Sequence, residues 1–114
     1  MNLTGIRDLL QCEVLTGEDG LEAEVDTAVA SDAMSVVLAA PHPHALMITG
    51  LTNVQSVRTA QIAFITAIVY VRGGRPNDAT VQLAQEMQIV LLSTPHGMFE
   101  ACGMLHRQGI QGAT

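Results

Sequence analysis

The sequence predicts an α/β domain: a three-layer open sandwich, with a mostly parallel sheet of about five strands and helices on both faces. Three observations predict it. Short apolar runs alternate with stretches of helical periodicity and are separated by turn residues, the pattern of strands joined by crossover helices. Several runs, Ala67 to Val71 foremost, are apolar at every position, which marks strands covered on both faces. Hydrophobic residues make up 48% of the chain and aromatics only 3%, so the core must be built from Val, Leu, Ile, Ala and Met.

In chain order, Thr4 is placed to cap a short helix through Gln11, with Ile6, Leu9 and Leu10 on one side. Glu13 to Leu15 reads as a brief strand, followed by a turn over Thr16 to Gly20. Glu24 to Ala30 alternates Val25, Thr27 and Val29 against Glu24, Asp26 and Ala28, a strand with one wet face and hence toward an edge. Ser31 caps a helix over Met34, Val37 and Leu38, with Asp32 in its first turn, where the helix dipole favours an acid. Pro41 and Pro43 end that helix. Ala45 to Thr49 is the next strand, and Thr52 with Gln55 makes a capping box for a helix reaching about Thr66, with Val54, Val57, Phe64 and Ile65 inward.

Ile65 to Pro76 is the organising stretch: a fully apolar strand that enters Arg72-Gly73-Gly74-Arg75 and then a helix. Glycines there let backbone approach a ligand closely, and the arginines add fixed positive charge. Asn77 or Asp78 caps the following helix through Gln88, with Ala79, Leu83, Ala84 and Met87 inward. Ile89 to Leu92 is a further apolar strand, and Ser93-Thr94-Pro95 reads as a cap with proline at the first helical position. The last helix carries Met98, Ala101, Cys102 and Leu105 at helical spacing, and a loose tail is expected from Gln108.

The 114 residues read as a single domain, residues 1–114, able to bury roughly two thirds of its unfolded surface. No apolar run approaches the roughly 20 residues of a membrane span, and no basic segment precedes an apolar one at the amino terminus, so a cytoplasmic protein is expected. Cys12 and Cys102 lie far apart without a Cys-x-x-Cys pairing and read as buried thiols. All five basic residues are Arg, and eight acids lie between Arg7 and Arg58 without a basic residue among them. That acidic lobe and the net charge of −6 would repel nucleic acid and anionic membrane.

Open parallel sheets take ligands beyond the carboxyl ends of their strands. Three such ends are polar here: Thr49 with Thr52 and Asn53; Arg72, Gly73, Gly74 and Arg75; and Ser93, Thr94 and His96. Each opens a helix, and helix starts offer free amides and a positive dipole end. A small anionic ligand is the predicted occupant. Helix capping alone accounts for the Ser, Thr and Asn residues; the arginines are what it accounts for least.

No G-x-G-x-x-G or G-x-x-x-x-G-K-[ST] motif occurs, and the absence of lysine excludes a P-loop or a Schiff base. His42 and His44 sit two apart in a proline-flanked loop with no third metal ligand near them, so no metal or cofactor is implied. His96 lies on the polar border as an acid or base without a placed partner, and His106 complements the negative end of the last helix. The clustered acids read as a solvated face, and no nucleophile elbow marks Ser93, so no catalytic residue is assigned.

Leu15 to Leu21, Ala30 to Ser35, Ile48 to Val54, Val69 to Pro76 and Leu91 to Pro95 together resemble the DRTGG domain family across nearly the full length. The family's Asp-Arg pair is replaced around Leu51 to Asn53 and its Thr is Arg72, while Gly73 and Gly74 remain, as in its stand-alone branch near iron-only hydrogenase genes. Other members are modules of phosphate acetyltransferase-like proteins or stand beside CBS pairs, and the fold is similar to the amino-terminal domain of HPr kinase. The resemblance implies a regulatory or interaction module that often forms a homodimer. Together with a polar border that holds no catalytic constellation, it leads to the expectation of a non-catalytic module that pairs with itself and senses a small anionic ligand or docks on a redox or hydrogenase-linked partner. The alternatives are a nucleotide- or phosphate-binding domain clamped by Arg72 and Arg75, and a small enzyme using His96.

Overall fold

A computed structural model describes residues 1–113. Helix α1 (Leu3–Leu10) is followed by strand β1 (Glu13–Thr16), a single 3-10 turn and strand β2 (Thr27–Ala30). Then come α2 (Met34–Val37), β3 (Leu46–Thr49), α3 (Val54–Ile62), β4 (Ala67–Tyr70), α4 (Asp78–Met87), β5 (Val90–Ser93), α5 (Met98–Arg107) and β6 (Gln111–Gly112). One sheet runs β1-β5-β4-β3-β2-β6, with β1 antiparallel to β5 and every other pairing parallel. The α/β architecture with a mostly parallel sheet is therefore as predicted, with one strand more than expected.

β3, β4 and β5 are buried at every position because both faces are covered. On one face α1 and α5 contribute Leu3, Ile6, Leu10, Ala101 and Leu105 to a cluster closed by Ile48, Val69 and Leu92. On the other, α2, α3 and α4 contribute Val37, Val57, Ala60 and Ala84, set against Met47, Ile68 and Leu91. The alternation of partners along each strand follows from the two-residue side-chain period. Tyr70 is the one aromatic in this core, and its hydroxyl lies 2.7 Å from Ser56 Oγ on α3.

Several boundaries differ from expectation, the caps of α1 and α3 through a competing local hydrogen bond. Asn2, not Thr4, caps α1: its Oδ1 accepts from Gly5 N at 2.9 Å, while Thr4 Oγ1 donates to Leu21 O. α3 is capped by Asn53, which accepts from Gln55 N, so the Thr52 capping box does not form. α3 also stops at Ile62 because Phe64 turns left-handed (φ 63°), leaving Phe64 exposed rather than packed. α2 is a single turn whose Leu38 end is exposed; Ala33 N donates to Ser31 Oγ ahead of it. In α4, Thr80 and Ala84 face inward, whereas Ala79 is exposed. Pro95 precedes α5, whose N-cap is Gly97 without a side-chain hydrogen bond.

The tail from Gln108 through Ala113 is not loose. Ile110 is buried in the core, and β6 pairs with Thr27 and Ala28, so β2 lies one strand in from the edge. Ala113 N also donates to Ala28 O at 2.8 Å. Removing a buried branched side chain costs its transfer free energy plus a cavity term. Ile110→Ala is accordingly expected to lower the unfolding free energy by about 2–4 kcal/mol in urea titration, where a loose tail would give almost no change.

Candidate functional site

The parallel ladder ends at Thr49, Tyr70 and Ser93, and its hydrogen bonding continues into the loops beyond. Val71 N donates to Thr49 O at 3.1 Å, Thr94 N to Tyr70 O at 2.9 Å, Arg72 N to His96 O at 2.8 Å and Gly73 N to Thr94 O at 2.7 Å. The methyl of Thr52 approaches Gly74 so closely that a Cβ there would stand 2.9 Å from it. Thr49, Thr52 and Asn53, then Arg72 to Arg75, and then Ser93, Thr94 and His96 thus share one border of the sheet. The ten predicted site residues are neighbours.

Most of them are engaged in holding that border together. Thr49 Oγ1 donates to Asp32 Oδ1 at 2.9 Å and Asn53 caps α3. Ser93 Oγ donates to Gly74 O at 2.8 Å, and Thr94 Oγ1 to Leu10 O at 2.6 Å, linking the border to α1. The amides of Gly73 and Gly74 are bonded to Thr94 O and Val71 O, so they do not offer themselves to a ligand. The glycines serve the loop instead: Gly73 takes φ 67°, and Gly74 leaves room for Thr52 and for Val71 O. Arg75 pairs with the Glu13 carboxylate on β1, and so is a strut across the sheet rather than a free clamp.

Two groups stand apart. Arg72 is exposed, and among the described residues no carboxylate lies within ion-pair distance of its guanidinium. Its backbone is left-handed (φ 55°), a conformation that costs a side-chain-bearing residue roughly 1–2 kcal/mol and is imposed here by the cross-ties to His96 and Thr94. His96 Nε2 is enclosed without a hydrogen-bond partner among the described residues.

The candidate overlooked in the sequence is Asp32. It is not a first-turn acid of α2; its Oδ1 accepts from Thr49 Oγ1 and, at 2.7 Å, from Gly50 N, fixing the end of β3. An acid two residues past a parallel strand was the available signal. His42, expected in a surface loop, is buried with Nε2 3.0 Å from Val37 O, while His44 is exposed. No group of three or more metal-ligating side chains occurs among the described residues. Cys12 and Cys102 are partly buried, and burial pushes both thiols up, Cys12 to about 12.

Three hollows lie away from this border. One of about 680 Å³ lies between Gly17–Gly20 and the end of α4; another of about 650 Å³ lies between β2, β6 and α5; a third, about 580 Å³, is beside His44 and Phe64. The second is apolar and flanked by Phe99 (86% exposed) and Val36 (50% exposed).

The fold and border define an open-sheet α/β domain whose polar rim carries one unpaired guanidinium. The chain belongs to the DRTGG domain family, whose profile matches residues 5–108. It is also similar in structure to the CBS and DRTGG domains of the regulatory region of Clostridium perfringens pyrophosphatase, solved as a complex with its activator, diadenosine tetraphosphate. That match has a TM-score of 0.71 at 20% identity and covers 91% of this chain, which spans 45% of the longer one. No curated protein matches the chain. No helix among the described residues is long and apolar enough to cross a membrane.

Two measurements check this geometry. The Arg75 hydrogen bond, opposed by a smaller desolvation effect and assisted by its charge, holds the Glu13 carboxyl below its ordinary 4.5. Because the folded value is depressed, the pair's contribution is present above about pH 4.5 and is lost as pH falls through the folded value. Glu13→Gln should therefore remove a small, salt-screened stabilisation near neutral pH and none in strong acid, as a comparison of urea midpoints would show. Arg72→Gly should relieve the left-handed backbone and raise the unfolding free energy by about 1 kcal/mol.

Proposed function

We propose that the chain is a non-catalytic regulatory module that senses a small anionic ligand on the rim and passes the signal to a docked copy of itself or a partner enzyme. Arg72 carries this reading. Its guanidinium is exposed, unpaired among the described residues, and mounted on a strained residue that the loops on either side hold in place. Strain of this kind persists where surrounding structure over-determines it, and it clusters at ligand clamps and switches. Guanidinium groups match phosphate and carboxylate geometry with paired donors. The regulatory region with the similar fold was solved with a nucleotide polyanion, which supports a phosphate-bearing ligand as one member of the class. A two-arginine clamp is disfavoured, since Glu13 occupies Arg75. An enzyme using His96 is the weaker reading, because no hydrogen bond from the described residues orients its ring.

A docking role is favoured by one specific observation, the exposed Phe99 and Val36 beside the apolar hollow. Dimerisation and a redox or hydrogenase-linked partner rest on the family resemblance.

Thermal and urea unfolding with inorganic phosphate and a nucleotide panel tests the ligand. A binder at about a hundred times its Kd should stabilise the protein by about 2.7 kcal/mol. That gain should vanish in Arg72→Ala and survive in Arg75→Ala; an undiminished gain in Arg72→Ala rejects the reading.

A further inference from the structure

The ligand class is narrowed by what faces Arg72. A Cβ placed on Gly50 would stand 3.5 Å from Arg72 Nη2, 3.5 Å from Asp32 Oδ1 and 3.6 Å from Asp32 Oδ2. One point above the end of β3 is therefore flanked by a guanidinium and a carboxylate. The two are not ion-paired: they lie beyond 4.0 Å, yet each is so near that point that their separation is at most about twice 3.5 Å. Asp32 is held by Thr49 and Gly50 through Oδ1 alone, which leaves Oδ2 without a hydrogen-bond partner among the described residues.

We infer that the rim takes a zwitterionic small molecule, an α-amino acid, seated over Gly50 with its carboxylate on Arg72 and its ammonium on Asp32. This rests on the reading of Arg72 as the anion-binding group and adds a second pole to it. A plain anion at Arg72 would face the Asp32 carboxylate, and a plain cation at Asp32 would face the guanidinium, so each is opposed by one member of the pair. A ligand with both charges a few bonds apart satisfies both. Gly50 itself supports the assignment. Its φ lies outside the left-handed region, and the nearest atoms a Cβ would meet are those of the two charged groups, at ordinary contact distance. Neither backbone strain nor close packing calls for glycine there, and the missing side chain leaves that space open to a ligand.

An NMR titration of the full chain, following the Gly50 amide, tests this with L-alanine, L-glutamine, N-acetyl-L-alanine, ribose 5-phosphate and inorganic phosphate. The amino acids should shift Gly50 and bind about tenfold more tightly than the N-acetyl form, which lacks the ammonium. Asp32→Asn retains an oxygen acceptor for Thr49 and Gly50, and should weaken the amino acids about tenfold while leaving phosphate as tight or tighter. Gly50→Ala should keep the thermal midpoint and abolish the amino-acid shift. Equal binding of N-acetyl-L-alanine, tighter binding of ribose 5-phosphate, or indifference to both substitutions overturns the inference. Binding of phosphate that depends on Arg72, with no response to amino acids, overturns the zwitterion while leaving the rim as an anion site. No response to any probe overturns both.

Discussion

The hydrogen-bond ladder of β3, β4 and β5 does not stop where the strands stop. It runs on through Val71 to Thr49, Arg72 to His96 and Gly73 to Thr94, binding three loops into one continuous border. Parallel strands buried on both faces leave their polar residues nowhere but the ends, and backbone groups there must still be paired. Cross-tying the loops satisfies that requirement. The same cross-ties hold Arg72 in a conformation it would not choose alone.

That arrangement redistributes the chemistry that the border's composition suggests. The hydroxyls of Ser93 and Thr94 and the amides of the glycines are used internally, as mortar between loops and α1. Arg75 braces the antiparallel edge strand through Glu13. What faces outward is one guanidinium and one carboxylate, Arg72 and Asp32, on either side of Gly50.

The domain covers less than half of the pyrophosphatase regulatory region that it resembles in fold. Asp32 lies two residues before α2, a single turn whose Val36 lines the apolar hollow between β2 and α5. Phe99 stands on the opposite wall of that hollow, at the start of α5 and two residues from Gly97. A four-residue helix without a side-chain cap is an element of low local stability.

The alternation of apolar runs and helical stretches determined the fold class. A run such as Ala67 to Val71, short, apolar throughout and followed by glycines and a proline, fits a strand covered on both faces. The positions of the three polar strand ends were also legible, since a parallel sheet puts all such ends on one side. Cap choice, the fate of Phe64 and the ordering of the tail were not. Asn2 competes with Thr4, and Asn53 with Thr52, at energies too close for sequence to rank. Ile110 and the two-residue β6 depend on a partner strand more than eighty residues earlier. The division of the border into mortar and free groups belonged to tertiary structure alone, because whether a hydroxyl, an amide or an arginine is spent depends on which distant carbonyl or carboxylate the fold brings to it.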